Sequence, residues 1–182
     1  MRRTQYLCVL ASAAALLLPV HLLAQFSPSG STSISVTVGP EAAIRIDSAT
    51  STLTTSGVVF GSDFTGSTAF TYKIRTRQGD GSGNVQLQVM SDFSPAGGPS
   101  VATPPDPEDT LGYTCNVSEP ASGCSGRQTA STTVATPVAT FGANARSTRT
   151  GNSGSVNWTL ANDPQYATGT FTALVTLTIS TT

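Results

Sequence analysis

The closing stretch of the chain, YATGTFTALVTLTISTT at residues 166–182, decides the fold. From Phe171 onward, Phe171, Ala173, Val175, Leu177 and Ile179 fall on one side of an extended strand. Thr170, Thr172, Thr176, Thr178 and Ser180 fall on the other, and Leu174 is the one large apolar residue among them. A two-residue period rich in β-branched side chains describes a strand with one face against a core. A lone strand is not stable in water, so the rest of the chain has to supply the sheets on which it docks.

The same signature recurs upstream in short pieces. Ile34, Val36 and Val38 alternate with Ser and Thr, Gly39-Pro40 punctuates the run, and Ala42, Ile44 and Ile46 resume it. Val58-Val59-Phe60 forms a brief run stopped by Gly61. Phe70, Tyr72 and Ile74 alternate with Lys73, Arg75 and Arg77, and Val85, Leu87 and Val89 follow a Gly-rich turn, which predicts a hairpin. Leu111, Tyr113, Cys115 and Val117 form another alternating run, weak strands fall in residues 129–141, and Val156, Trp158 and Leu160 supply a penultimate strand. Trp158 is the expected aromatic anchor of the core. Beyond the N-terminal segment no stretch carries a helical period. The expected fold is therefore all-β, an immunoglobulin-like antiparallel β-sandwich of about seven to nine strands.

The chain opens on Met1-Arg2-Arg3, continues with an apolar run over residues 6–18, and reaches Ala24 before Gln25. A basic start, a short apolar middle and a small final residue describe a secretory signal peptide over residues 1–24, which leaves a single sandwich domain at 25–182. An uncleaved anchor fits less well, because Pro19 and His21 interrupt the run and it is short for a span. The expected destination is outside the cytoplasm: periplasm, cell surface or extracellular medium, with no membrane contact after cleavage.

Residues 25–182 hold seven basic and ten acidic residues, a formal net charge of −3. An acidic chain with a single Lys lacks the basic footprint of a nucleic-acid binder. With 52 Ser and Thr among 182 residues, low charge would suggest disorder, but the regular apolar alternation supplies the surface that disordered chains lack. His21, the one histidine, falls in the leader, so residues 25–182 have none. That removes Ser–His and Cys–His nucleophiles and the usual Cys/His zinc sites, and a non-enzymatic protein without cofactors is expected. Asp80, Ser82 and Asn84 imitate the start of a calcium loop, but Val85 stands where Gly is needed and no acidic residue closes the loop. Asp106, Glu108 and Asp109 lie in the Pro-rich residues 94–109 and read as solvated charges, the role of that loop being open. In an exported chain, Cys115 and Cys124 read as a disulfide closing a short loop.

Val59-Phe60-Gly61 is similar to the "FG" segment of spore coat protein U-like and chaperone–usher pilin-type fimbrial domains. Tyr166-x-x-Gly169-Thr170-Phe171 followed by Val175-Thr176-Leu177-Thr178-Ile179 resembles the closing "Y-x-x-G-x-Y…V-x-L-T" strand of the same family. The cysteines usual in that family near the first strand's end and near Ile74 are absent here. The resemblance implies a structural or adhesive surface subunit that assembles by β-strand donation with copies of itself or related subunits. Ile34, Val36 and Val38 would then be the donor, although the same run also reads as the domain's own first strand, continuing into residues 42–46. The competing expectation is a secreted module that binds carbohydrate or a host surface through an aromatic platform of Tyr72, Phe93 and Tyr113. On both, Phe171, Val175, Leu177 and Ile179 form the terminal core strand.

Overall fold

The computed structural model describes residues 29–57 and 60–182. The expected leader and the Val58-Val59 run lie outside the described residues. Thr37–Thr182 forms one compact unit, of which residues 29–36 are no part.

The unit is all-β, as the alternation requires. Its strands are β1 (Glu41–Ile46), β2 (Thr54–Thr55), β3 (Phe64–Arg75), β4 (Gly83–Ser94), β5 (Gly112–Val117), β6 (Ser122–Gly123), β7 (Gln128–Thr129), β8 (Thr136–Phe141), β9 (Asn152–Leu160) and β10 (Thr172–Thr181). Three of the ten are two-residue pieces, and the seven longer ones build the sandwich. One sheet runs β1-β3-β9-β5-β7 with β2 on the side of β3; the other runs β10-β4-β8-β6. Every pairing is antiparallel. The sheets face each other across Phe70, Tyr72 and Ile74 of β3, Val85, Leu87 and Val89 of β4, and Val156, Trp158 and Leu160 of β9.

The large aromatics have polar ends, and burying them requires partners for those ends. The Trp158 indole N–H donates to Thr68 Oγ1 at 2.8 Å, and its ring meets Tyr113 edge-on with centroids 5.6 Å apart. The Tyr113 hydroxyl donates to the Pro137 carbonyl at 2.9 Å, and the Tyr72 hydroxyl donates to the Ser118 carbonyl. Cys115 and Cys124 are bonded, S–S 1.99 Å, and tie β5 to the segment after β6.

The structure corrects four sequence expectations. The β3 and β4 runs do not make a hairpin: β3 pairs with β1 and β9, whereas β4 pairs with β10 and β8. Both strands need to bury one face, and stacking across the core lets them share it, with the Gly-rich turn crossing between sheets. Gly83 makes that crossing tight, since a Cβ there would stand 2.8 Å from Ile74 Cδ1 and 2.7 Å from the Ser180 carbonyl.

Residues 31–38 are not the domain's first strand. They carry no strand structure, and Ile34, Val36 and Val38 are exposed. Phe171 precedes β10 instead of belonging to it, and its ring lies on Gly98 of the Pro-rich loop, where a Cβ would stand 2.5 Å away. Its partners Val175, Leu177 and Ile179 do face inward, but only partly buried, because β10 is the last strand of its sheet.

Asp109, read as solvated, is 4% exposed. The loop that carries it is ordered by Asp92, whose carboxylate accepts from Phe93 N, Val101 N, Ala102 N and Ser100 Oγ. Partial burial pushes the Asp92 carboxyl up, and the four donors outweigh it, holding the group below the ordinary carboxylate range.

Candidate functional site

The two sheets end on the same side of the sandwich, where β1 and β10 pack against each other. Among the described residues each pairs on one side only, so each presents a row of backbone donors and acceptors without a strand partner there. Ala42 and Ile44 of β1 and Ala173, Val175, Leu177 and Ile179 of β10 point inward here, yet all are only partly buried. The residues paired to them are closed off. Leu87 lies opposite Leu177 and Tyr72 opposite Ile44, and both are 0% exposed. The core is thus complete in the middle of the sandwich and only partly covered along this side. The partly buried positions recur along β10 at Ala173, Val175, Leu177 and Ile179, every second residue of the strand.

The residues singled out as a strand donor have the complementary property. Ile34 and Val36 are 94% and 84% exposed, with Val38 two residues further on also exposed. Spaced two apart, their side chains would share one face of an extended strand.

The aromatic platform is not formed. Tyr72 and Tyr113 are fully buried in the core, and Phe93 packs against it partly buried. Their positions on the inward phase of alternating runs carried that signal already. Asp80, of the supposed calcium loop, pairs with Arg77 at 3.8 Å, and Asn84 lies in β4, where its side-chain oxygen accepts from Ser180.

One cluster escaped the sequence reading because its members come from two loops far apart in the chain. Asp106-Pro107-Glu108-Asp109 and Asp163-Pro164-Gln165-Tyr166 are twin turns, each closed by the fourth residue's N–H donating to the first Asp carbonyl, at 3.0 and 3.2 Å. The turns meet through a hydrogen bond from Gln165 Nε2 to Asp106 Oδ2 at 2.9 Å. One carboxylate oxygen each from Asp106, Asp109 and Asp163 lie within 4.8 Å of one another, close enough to share a cation or a proton. The Tyr166 hydroxyl is buried there beside Asp109.

Burial and the neighbouring Asp163 carboxyl push Asp109 above the ordinary carboxylate value. Burial and the same carboxylates push Tyr166 up to about 12. Asp109 relieves this repulsion most simply by holding a proton. With its folded value raised, Asp109 favours folding at low pH and loses that contribution as pH rises through the folded value. Asp109→Asn is therefore expected to raise the melting temperature at about pH 7 and to change it little at about pH 3. Thermal melts by circular dichroism at the two pH values check this. A lower melting temperature for Asp109→Asn at the higher pH would mean that a bound cation neutralises the cluster instead.

Comparisons with protein families, with curated proteins and with solved structures find no match for this chain.

Proposed function

We propose that this protein is an exported structural or adhesive surface subunit, of the fimbrial or coat kind, that assembles by β-strand donation. The observation that carries the reading is the side where β1 and β10 meet, where two strand edges without a partner among the described residues flank partly buried apolar residues. An extended segment entering there would satisfy backbone groups and cover the core in one step. The exposed run Ile34-x-Val36-x-Val38 has the spacing that such a segment needs. The disulfide agrees with an oxidising compartment. Carbohydrate or host-surface binding is the weaker reading, because the aromatics that would have carried it are in the core.

Strand-donated assemblies come apart slowly, since the whole strand must leave at once. The exported protein is expected to give a ladder of species on denaturing gels loaded without heating, collapsing to one band after boiling. A single band before and after boiling, together with a monomer mass by light scattering at high concentration, would exclude self-assembly.

A further inference from the structure

The charges of this chain are segregated along the strand direction. The register places the start of β3, the end of β9 and the start of β10 at one end of the sandwich, and Arg75, Glu41, Gly83 and Asn152 at the other. At the first end lie, among the described residues, Asp63, Asp92, Asp106, Glu108, Asp109 and Asp163, with Arg127 as the one cation, a formal charge of −5. At the second lie Lys73, Arg75, Arg77, Arg146 and Arg149 against Glu41, Asp80 and Glu119, a formal charge of +2. Arg45 and Asp47 form an ion pair at 2.9 Å on the middle of the sheet and cancel. An acidic chain has thus gathered five of its seven described cations at one end.

The basic end is a built surface. Lys73, Arg75, Arg146 and Arg149 line one cleft of about 380 Å³ beside β1. Arg75 pairs with Glu41 at 3.1 Å and Arg77 with Asp80 at 3.8 Å, while Lys73, Arg146 and Arg149 close no ion pair among the described residues. The loop that carries the two free arginines is pinned to β3: Ser147 N donates to the Ile74 carbonyl and Ile74 N donates to Ser147 Oγ, both at 2.9 Å. Gly151, at φ +97°, lets this loop lie on Thr71, whose Cγ2 would stand 2.7 Å from a Cβ.

We infer that the acidic end of one copy seats against the basic end of the next, through the cleft of Lys73, Arg146 and Arg149. This deepens the assembly reading and rests on it. The occupant is a second copy because of where the chain enters the domain. The segment before β1 joins it at Glu41, at the basic end, so a neighbour that accepts that segment has to come up against this end. A neighbour arriving by its own basic end would set +2 against +2, whereas its acidic end brings a formal −5, or −4 when Asp109 holds its proton. Contacts between two different ends are heterologous, and they propagate as a filament where the rotation from copy to copy does not close a ring. Attraction across such ends steers encounter and is screened within about 8 Å at physiological salt, so its signature is kinetic and salt-dependent.

Arg149 and Glu108 are both exposed and free of hydrogen bonds to other side chains, so reversing either leaves the fold alone. The test follows assembly of the exported protein by light scattering at low and high salt. Arg149→Glu and Glu108→Lys are each expected to slow assembly about tenfold at low salt. The double variant restores the attraction with reversed partners and is expected within about threefold of the parent. High salt should shrink all of these differences. If the parent assembles and neither single reversal changes its rate, or if the double variant is slower than both singles, the end-to-end contact is wrong while self-assembly stands. Loss of dextran sulfate binding in Arg149→Glu with assembly unchanged would assign the cleft to a polyanion and also overturn it. A parent that remains monomeric overturns both readings.

Discussion

Leu87→Ala is expected to cost about 3–5 kcal/mol in denaturant melts of the monomer, and Leu177→Ala only about 1–2 kcal/mol. The two leucines are direct partners across the β4–β10 pair and have the same chemistry, so the difference isolates burial. Leu87 is 0% exposed, and its loss would leave a cavity that a close-packed sandwich cannot fill. Leu177 is partly exposed on an edge strand, so water already reaches it and relaxation is easier. In assembled material the ranking should narrow, because a donated strand would cover Leu177 and raise its cost toward that of Leu87. Equal costs in the monomer would mean that the side between β1 and β10 is already closed. Thr176→Ala and Thr178→Ala, on the exposed face, should stay within about 1 kcal/mol of the parent.

The contrast also shows what the sequence could convey. A two-residue period reports which side of a strand faces inward, and it did so correctly for β3, β4, β9 and β10. It does not report what lies beyond that face. Val175, Leu177 and Ile179 read like Val85, Leu87 and Val89, yet only the second set is closed over, since depth depends on a strand's place in its sheet. For the same reason, the runs of β3 and β4 looked like hairpin arms: neighbours in sequence that share a core can face each other as well as lie side by side. Ile34, Val36 and Val38 carried the strand signature without forming a strand, because an alternating run needs an edge to pair with.

The site was less legible than the fold. The disulfide was readable from two cysteines and a compartment, and the structure contains it. The Asp106, Asp109 and Asp163 cluster was not, since its halves are separated by most of the second half of the chain and only the register of β9 and β10 brings the loops together. A repeated Asp-Pro turn at 106–109 and 163–166 was the one available signal. Charge segregation was hidden in the same way: the acids and bases come in several separate runs along the sequence, and which runs share an end of the sandwich follows only when strand directions are assigned.

Val36→Asp is expected to abolish the gel ladder while leaving the monomer's stability within about 0.5 kcal/mol of the parent. Val36 is the middle of the three alternating apolar residues and is 84% exposed, so in the monomer the new carboxylate stays in water. In a strand lying between β1 and β10 the same side chain would face Ala42, Ile44 and the inward residues of β10, which are all apolar. Placing an ionised group there without a partner costs several kcal/mol, a loss of about a hundredfold or more in affinity. Val36→Ile, which keeps shape and adds apolar area, should assemble at least as well as the parent, so the loss would belong to charge and not to any change at the position. A synthetic peptide of residues 31–38 added in excess should compete with assembly, and its Val36→Asp version should not. Full ladders from Val36→Asp would show that another segment, or no segment, covers the side where β1 and β10 meet. A monomer destabilised as much as Leu87→Ala would show that residues 31–38 pair within their own domain after all.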